Sequence, residues 1–177
     1  VQGYEAAGVQ GVQIEDQVTP KKCGHTLGRE VVSLEEMVQK IQVACDARQT
    51  DETLIIARTD SRTDHGLDEA LQRGKAFAEA GADVVFIESP ESEEELKIIG
   101  AEIDALLLAN MVPNGRTPIV TSQKLKEWGF NIAIYPHSGF SPVAETLRQA
   151  YSHLHEKGTT IGTEVRTYED GNRSMHE

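Results

Sequence analysis

The sequence predicts an α/β fold built on a parallel sheet. Three observations carry that expectation. Short apolar runs alternate with longer segments of helical period. The runs are continuous rather than alternating, as in strands buried on both faces. Each run also stops on polar residues: Glu15 and Asp16, Arg58 to Asp60, Glu88, Asn110, and His137 after Pro136. Polar groups gathered at the C-terminal ends of parallel strands mark the working face of a (β/α)8 barrel. A doubly wound sheet also binds ligands at its strand ends. No glycine-rich phosphate loop follows any strand, however, which weighs against a nucleotide-binding sheet. Eight barrel strands take roughly 250 residues, and this chain of 177 residues shows about five. The expectation is the C-terminal portion of a (β/α)8 TIM-type barrel over residues 1–158, followed by a polar tail over residues 159–177.

Residues 1–7 read as a helix already under way, closed by Gly8. Val1 is not an initiator methionine, so a chain truncated or processed at its N-terminus is expected. Residues 12–15 form the first strand. Ser33, with Glu36 three residues on, has the capping-box spacing and opens a helix to about Arg48. Leu34, Met37, Val38, Ile41 and Cys45 share its apolar face. Residues 53–57 are the second strand, and residues 67–80 a helix closed by Gly81. Residues 83–87 are the third strand. Ser89-Pro90 breaks the chain, and Ser92 caps an acidic helix reaching Ile99. Residues 105–109 are the fourth strand, followed by a Pro/Gly-rich loop over 112–118. Thr121 or Ser122 caps the next helix, which ends near Trp128-Gly129. Residues 131–135 are the fifth strand, and a last helix spans about 142–156 before Gly158.

The formal net charge of −12, with no Lys/Arg stripe, argues against nucleic acid or an acidic membrane as partner. A local cluster of Lys21, Lys22, Arg29 and Arg58 can still hold an anion. The two cysteines make no disulfide framework and point to a reduced, cytoplasmic setting. No apolar run approaches the ~20 residues that span a bilayer, and no signal-peptide pattern opens the sequence.

The chemistry concentrates between Gly11 and Arg29. There an apolar strand ends on two acids and a loop follows with Lys21, Lys22, Cys23, Gly24 and His25. Cys23 is either an idle thiol or a reactive one with cationic neighbours and an imidazole beside it. Cys45, on an apolar helix face, receives no role. Glu15, Asp16 and Glu88 either cap loops and pair with Arg58 or the lysines, or ligate a hard cation directly or through water. Arg58 ends a run that should be buried, so its guanidinium needs a carboxylate, from the protein or from a substrate. Asn110 and His137 are either plain loop residues or part of the same mouth. Glu91, Glu93, Glu94 and Glu95 read as a solvated helix start favoured by the helix dipole.

Several segments resemble the isocitrate lyase/phosphoenolpyruvate mutase superfamily: QIEDQ (13–17), PKKCGH (20–25), IIARTDSR (55–62), AGADVVFIE (80–88), LLLANM (106–111) and IYPHS (134–138). The likeness is strongest to its small enzymes: methylisocitrate lyase, 2,3-dimethylmalate lyase, oxaloacetate hydrolase and carboxyvinyl-carboxyphosphonate phosphorylmutase. The resemblance implies an (α/β)8 barrel, a Mg²⁺ ion with Mn²⁺ as a substitute, and a small carboxylic-acid substrate. It also implies a homo-oligomer, often a tetramer with a swapped terminal helix. Cys23 matches the acid that protonates the enolate-like product. Gly24 and His25 match contacts to the substrate carboxylate, and Arg58 the substrate-binding arginine. Glu88 matches a second active-site acid, Asn110 a substrate contact, and Glu15 an acid of the Mg²⁺ site reached largely through water.

The activity implied is Mg²⁺-dependent carbon–carbon cleavage of a small 2-hydroxy di- or tricarboxylate to pyruvate or glyoxylate plus a second acid. The alternatives are a phosphonopyruvate-type phosphorus–carbon mutase, an oxaloacetate decarboxylase or hydrolase, and an inactive partial barrel kept for oligomerisation or binding. Two departures stand out. The superfamily's Asp-x-Asp metal motif is absent. His137, taken as a candidate substrate-binding residue, also stands where methylisocitrate lyases commonly carry an aliphatic residue, a departure that keeps a decarboxylase or hydrolase relative among the alternatives.

Overall fold

The structure, a computed structural model, describes residues 1–163. Part of the expected polar tail, residues 164–177, lies outside the described residues. The chain divides into two compact units, Val1–Pro136 and His137–Glu177.

In the first unit the elements run α1 (Gln2–Ala6), β1 (Gly11–Glu15), α2 (Leu34–Ala47), β2 (Leu54–Thr59), α3 (Arg62–His65), α4 (Leu67–Glu79), β3 (Val84–Ile87), α5 (Glu93–Glu102), β4 (Leu106–Asn110), α6 (Ser122–Glu127) and β5 (Ile132–Ile134). All neighbouring strands pair in parallel, in the order β1-β2-β3-β4-β5. A doubly wound sheet reverses its strand order at a switch point. Here each crossover adds the next strand on the same side, which is the winding of a curled half-barrel.

Period two along each strand sorts the side chains into two faces. Ile55, Ala57, Val85, Ile87, Leu107 and Ala109 face the helices and join Met37 and Ile41 of α2, Phe77 of α4, and Leu96 and Ile99 of α5 in one buried core. The opposite parity carries Leu54, Ile56, Val84, Phe86, Leu108 and Ile132, a second cluster on the concave side. Continued to the strand ends, that parity includes Glu15, Arg58, Glu88 and Asn110. Register brings them together, because Glu15 pairs with Arg58 and Arg58 with Phe86.

Helix starts follow their capping residues. The side chains of Ser33, Ser92 and Thr121 accept from the backbone N–H of Glu36, Glu95 and Lys124. Four expectations are revised. β2 extends through Arg58 to Thr59, since the ladder continues where the apolar run stops. The short α3, with no apolar period to reveal it, fills residues expected as loop. α5 continues to Glu102. The acids at its start are not simply solvated: Glu91 pairs with Arg62 and Arg116, Glu93 with Lys124, Glu94 with Lys97 and Glu95 with Arg62.

The second unit is described by itself. It holds α7 (Phe140–Lys157), which has no buried residue. Phe140, Val143, Leu147, Tyr151 and Leu154 form an exposed apolar stripe at helical spacing. No helix of the described residues is long and apolar enough to cross a membrane.

Phe77 is fully buried between α4 and the sheet. Phe77→Ala is therefore expected to lower unfolding free energy by about 3–5 kcal/mol, read from urea midpoints, and a cost under about 1 kcal/mol would contradict this packing.

Candidate active site

The concave face ends in a network centred on Arg58. Its guanidinium donates from Nε to Asp60 Oδ2 at 2.8 Å and from Nη2 to Asp60 Oδ1 at 2.9 Å, a two-point fork. Nη2 also lies 3.3 Å from Glu88 Oε2, and Nε lies 3.6 Å from Glu15 Oε2. The guanidinium stacks 4.9 Å above the Phe86 ring, its register partner in β3. Among the described residues its Nη1 makes no hydrogen bond, so one corner of a nearly buried cation is left for another group.

Asp60 is shared. Its Oδ1 also accepts from Arg29 Nη1 at 2.9 Å, and that same Nη1 donates to the Gly24 carbonyl. The loop after β1 is thereby tied to β2. A second tie comes from Ser89, whose hydroxyl donates to the Gly24 carbonyl at 2.9 Å. Gly24 itself has no room for a side chain, because a Cβ there would collide with Arg58 Nη2 and stand 2.8 Å from Glu88 Cγ.

Glu88 is fully buried and multiply held. Asn110 Nδ2 approaches both its oxygens, at 3.2 and 3.3 Å. His25 Nε2 stands 3.0 Å from Oε1, a contact whose alignment falls short of a hydrogen bond. Glu15 accepts from Lys21 Nζ at 2.8 Å through Oε2. Its Oε1 and the Asn110 Oδ1 are buried without a partner.

Behind this layer, Asp16 accepts from the Asp60 N–H at 2.9 Å and from Arg73 Nη1 at 3.0 Å, so its role is to hold the Asp60 backbone. The two buried aspartates titrate in opposite directions. Burial outweighs Asp16's hydrogen bonds and the charge of Arg73, and pushes its carboxyl above the usual 3.8. Burial acts on Asp60 as well, but hydrogen bonding and charge from Arg58, with Arg29 added, hold it below 3.8. Glu88 likewise stays below 4.5 despite burial, through His25, Arg58 and Asn110.

Of the residues singled out in the sequence, Glu15, Gly24, His25, Arg58, Glu88 and Asn110 therefore converge on one mouth. Cys23 is adjacent in the chain to Gly24 but exposed; its carbonyl accepts from Thr26, and its thiol makes no hydrogen bond among the described residues. His137 opens the second unit with a φ of 66°, its ring 6.5 Å edge-on from Phe140. Sequence reasoning did not assign Asp60, Ser89 or the Arg116 backbone to the site. Lys22 is spent within its loop, donating from Nζ to the Gly28 carbonyl at 2.6 Å.

No cluster of three or more His, Cys, Asp or Glu side chains able to hold a metal occurs among the described residues. The unpartnered Glu15 Oε1 fits a single ligand position of a hard cation that keeps most of its waters.

Asp60→Asn should destabilise the fold by about 3–5 kcal/mol at pH 7, because two guanidiniums lose their shared anion. A carboxyl held below its unfolded value stabilises above that value, and the contribution disappears as pH falls through the folded one. The gap between wild type and Asp60→Asn in urea midpoint should therefore narrow below pH 3.8, and a gap independent of pH would refute the bridge.

The chain matches the phosphoenolpyruvate phosphomutase family over residues 1–155. It is 51% identical to 2,3-dimethylmalate lyase of Eubacterium barkeri over 92% of this chain and 56% of that protein. It is 42% identical to 2-methylisocitrate lyase of Aeropyrum pernix over 90% of this chain and 51% of that protein. The crystal structure of a 2,3-dimethylmalate lyase superposes with a TM-score of 0.87 at 34% identity, over 99% of this chain and 61% of that one. The chain spans about half the length of the curated relatives it matches. The sheet winding, the strand-end network and these likenesses agree: the chain belongs to the phosphoenolpyruvate phosphomutase family, within the PEP mutase/isocitrate lyase superfamily.

Proposed function

We propose that this chain carries the carboxylate-holding part of a carbon–carbon lyase acting on a small 2-hydroxy di- or tricarboxylate, of the dimethylmalate or methylisocitrate kind. The observation that carries the reading is Arg58: a cation nearly buried at the strand ends, locked on two nitrogens and open on Nη1. The likeness to 2,3-dimethylmalate lyase supports the substrate class.

The reaction breaks the bond between the hydroxyl-bearing carbon and its neighbour. The hydroxyl loses its proton, and its electron pair forms the carbonyl of pyruvate or glyoxylate. The pair of the broken bond passes to the departing acid, which holds it as an enediolate until its carbon takes a proton. Negative charge thus grows on the departing carboxylate, where a fixed guanidinium is worth most. Arg58 binds that carboxylate through Nη1, with Gly24 allowing close approach and His25 and Asn110 lining the pocket. Glu88 holds Arg58, His25 and Asn110 in register. Cys23 is the acid that delivers the final proton, and His137 contributes to substrate choice. Mg²⁺, or Mn²⁺ in its place, held in part by Glu15, would supply the Lewis acid for the forming keto-acid oxygens. The base lies outside the residues named here. A thiol beside Gly24 favours the lyase over a phosphorus–carbon mutase, which has less use for a proton donor.

The assembly proposed is a cytoplasmic homo-oligomer, a tetramer being the form that the superfamily resemblance implies. Two free cysteines support the reduced compartment. The exposed apolar stripe on α7 supports self-association.

The deciding experiment supplies the full-length protein with a panel of 2-hydroxy di- and tricarboxylates and oxaloacetate, with and without EDTA, and couples keto-acid release to a dehydrogenase. Release from at least one hydroxy acid, abolished by EDTA, is expected; no release from any would refute the lyase. Arg58→Lys keeps the charge but loses the fork and should lower kcat/KM by about 10²–10³. Cys23→Ser should abolish turnover while metal binding persists, and unchanged turnover would remove the thiol from the mechanism.

A further inference from the structure

We propose that Gly115 and the backbone N–H of Arg116 are the positioning elements for His25, fixing its ring proton on Nε2, over Glu88. The catalytic meaning of this inference rests on the function proposed above, but the tautomer itself does not.

The loop between β4 and α6 is shaped for the contact. Asn114 takes a left-handed φ of 59°, which asparagine tolerates. The Gly115 N–H closes a turn on the Val112 carbonyl at 3.0 Å. The next amide, that of Arg116, then donates to His25 Nδ1 at 3.1 Å. This approach requires glycine at 115. A Cβ would stand 2.9 Å from both Cε1 and Nδ1 of His25 and 3.0 Å from the Val112 carbonyl oxygen, so ring and loop would have to part. The Arg116 side chain holds the loop from its other side, through Glu91 at 3.1 Å.

A ring nitrogen that accepts from an N–H carries a lone pair, and in the neutral imidazole the proton then sits on the other nitrogen. That nitrogen, Nε2, is the one 3.0 Å from Glu88 Oε1. Ser89 is the competing partner of Nδ1, at 3.3 Å. Its hydroxyl lies nearer the Gly24 carbonyl, at 2.9 Å, and a carbonyl can only accept. Glu88 Oε1, at 3.2 Å, is a second acceptor nearer than Nδ1, so the single serine proton is spent on one of these oxygens and the backbone amide is left as the donor to Nδ1. Through His25, a loop whose side chains touch no reacting atom sets what Glu88 shares with Arg58 and Asn110.

Long-range ¹H–¹⁵N correlation NMR on the full chain reads the tautomer directly, and amide exchange reads the Arg116 N–H. Wild type should show His25 with its proton on Nε2, and Ser89→Ala should keep that signature. Gly115→Ala should show mixed tautomers, with Arg116 exchange faster by about fivefold or more. Three results would each overturn the proposal: the proton on Nδ1 in wild type, a tautomer change in Ser89→Ala, or an unchanged signature in folded Gly115→Ala. If Gly115→Ala does not fold, the wild-type and Ser89→Ala spectra decide. None of these readouts depends on turnover, so a failed lyase assay and a failed tautomer assignment are separate outcomes.

Discussion

A guanidinium at the end of a buried strand is held by a carboxylate two residues further along, and the rest of the site is arranged around that pair. Arg58 would be costly in the apolar end of the sheet without an anion at hydrogen-bonding distance. Asp60 supplies both oxygens. It then spends Oδ1 a second time on Arg29, which brings the loop after β1 onto the end of β2. The Asp60 backbone is fixed in turn by Asp16, and Asp16 by Arg73 of α4. Two ion pairs joined by one backbone hydrogen bond thus run from a helix packed on the sheet to the open corner of Arg58. Near that corner, three carboxylates (Glu15, Asp60, Glu88) meet three cations (Arg58, Arg29, Lys21), so an incoming substrate anion meets no uncompensated negative charge.

Much of this was legible in the sequence, and for identifiable reasons. Strands buried on both faces read as continuous apolar runs, which is why all five were found. Helix starts were found where Ser33, Ser92 and Thr121 carry the caps. The α3 turn has neither cap bond nor apolar period, so nothing in Arg62–His65 signalled it. At the site, strand-end position and strand parity put Glu15, Arg58, Glu88 and Asn110 on one face, and both can be counted from the sequence. The partners that complete the site leave weaker traces. Arg29 and Asp60 are far apart in the chain, and their pairing depends on how the loop folds back. The Arg116 amide has no side-chain signature at all, and Gly24 and Gly115 matter for what they lack. Cys23 shows the reverse: a strong sequence signal whose side chain is exposed beside the network rather than within it.

The likeness to lyases and the geometry bear on different questions. Identity of 51% to a dimethylmalate lyase speaks to chemistry class across about half of that protein. The geometry speaks to which end of a substrate this chain would hold. Among the described residues the guanidinium of Arg58 has one unbound corner that suits an anion, while the orphaned acceptor oxygens of Glu15 and Asn110 suit a cation or a hydroxyl donor. Clefts elsewhere in the first unit, one along α6 and β5 between Ser122 and Ala133 and another at the end of α2 between Cys45 and Asp51, contain none of these groups.

The double use of the Gly24 carbonyl limits how the loop can change length. Arg29 reaches back to Gly24, and Lys22 reaches forward to Gly28, so the segment between them is closed on itself like a buckle. An insertion inside it would separate Arg29 from Asp60 as well as from Gly24. An insertion around Val18 or Thr19 would part a second closure, in which the Gln17 amide donates to the Lys22 carbonyl at 3.0 Å and accepts from its N–H at 2.9 Å. Residues 17–29 should therefore keep a fixed count during evolution, because both halves of the loop are closed on themselves.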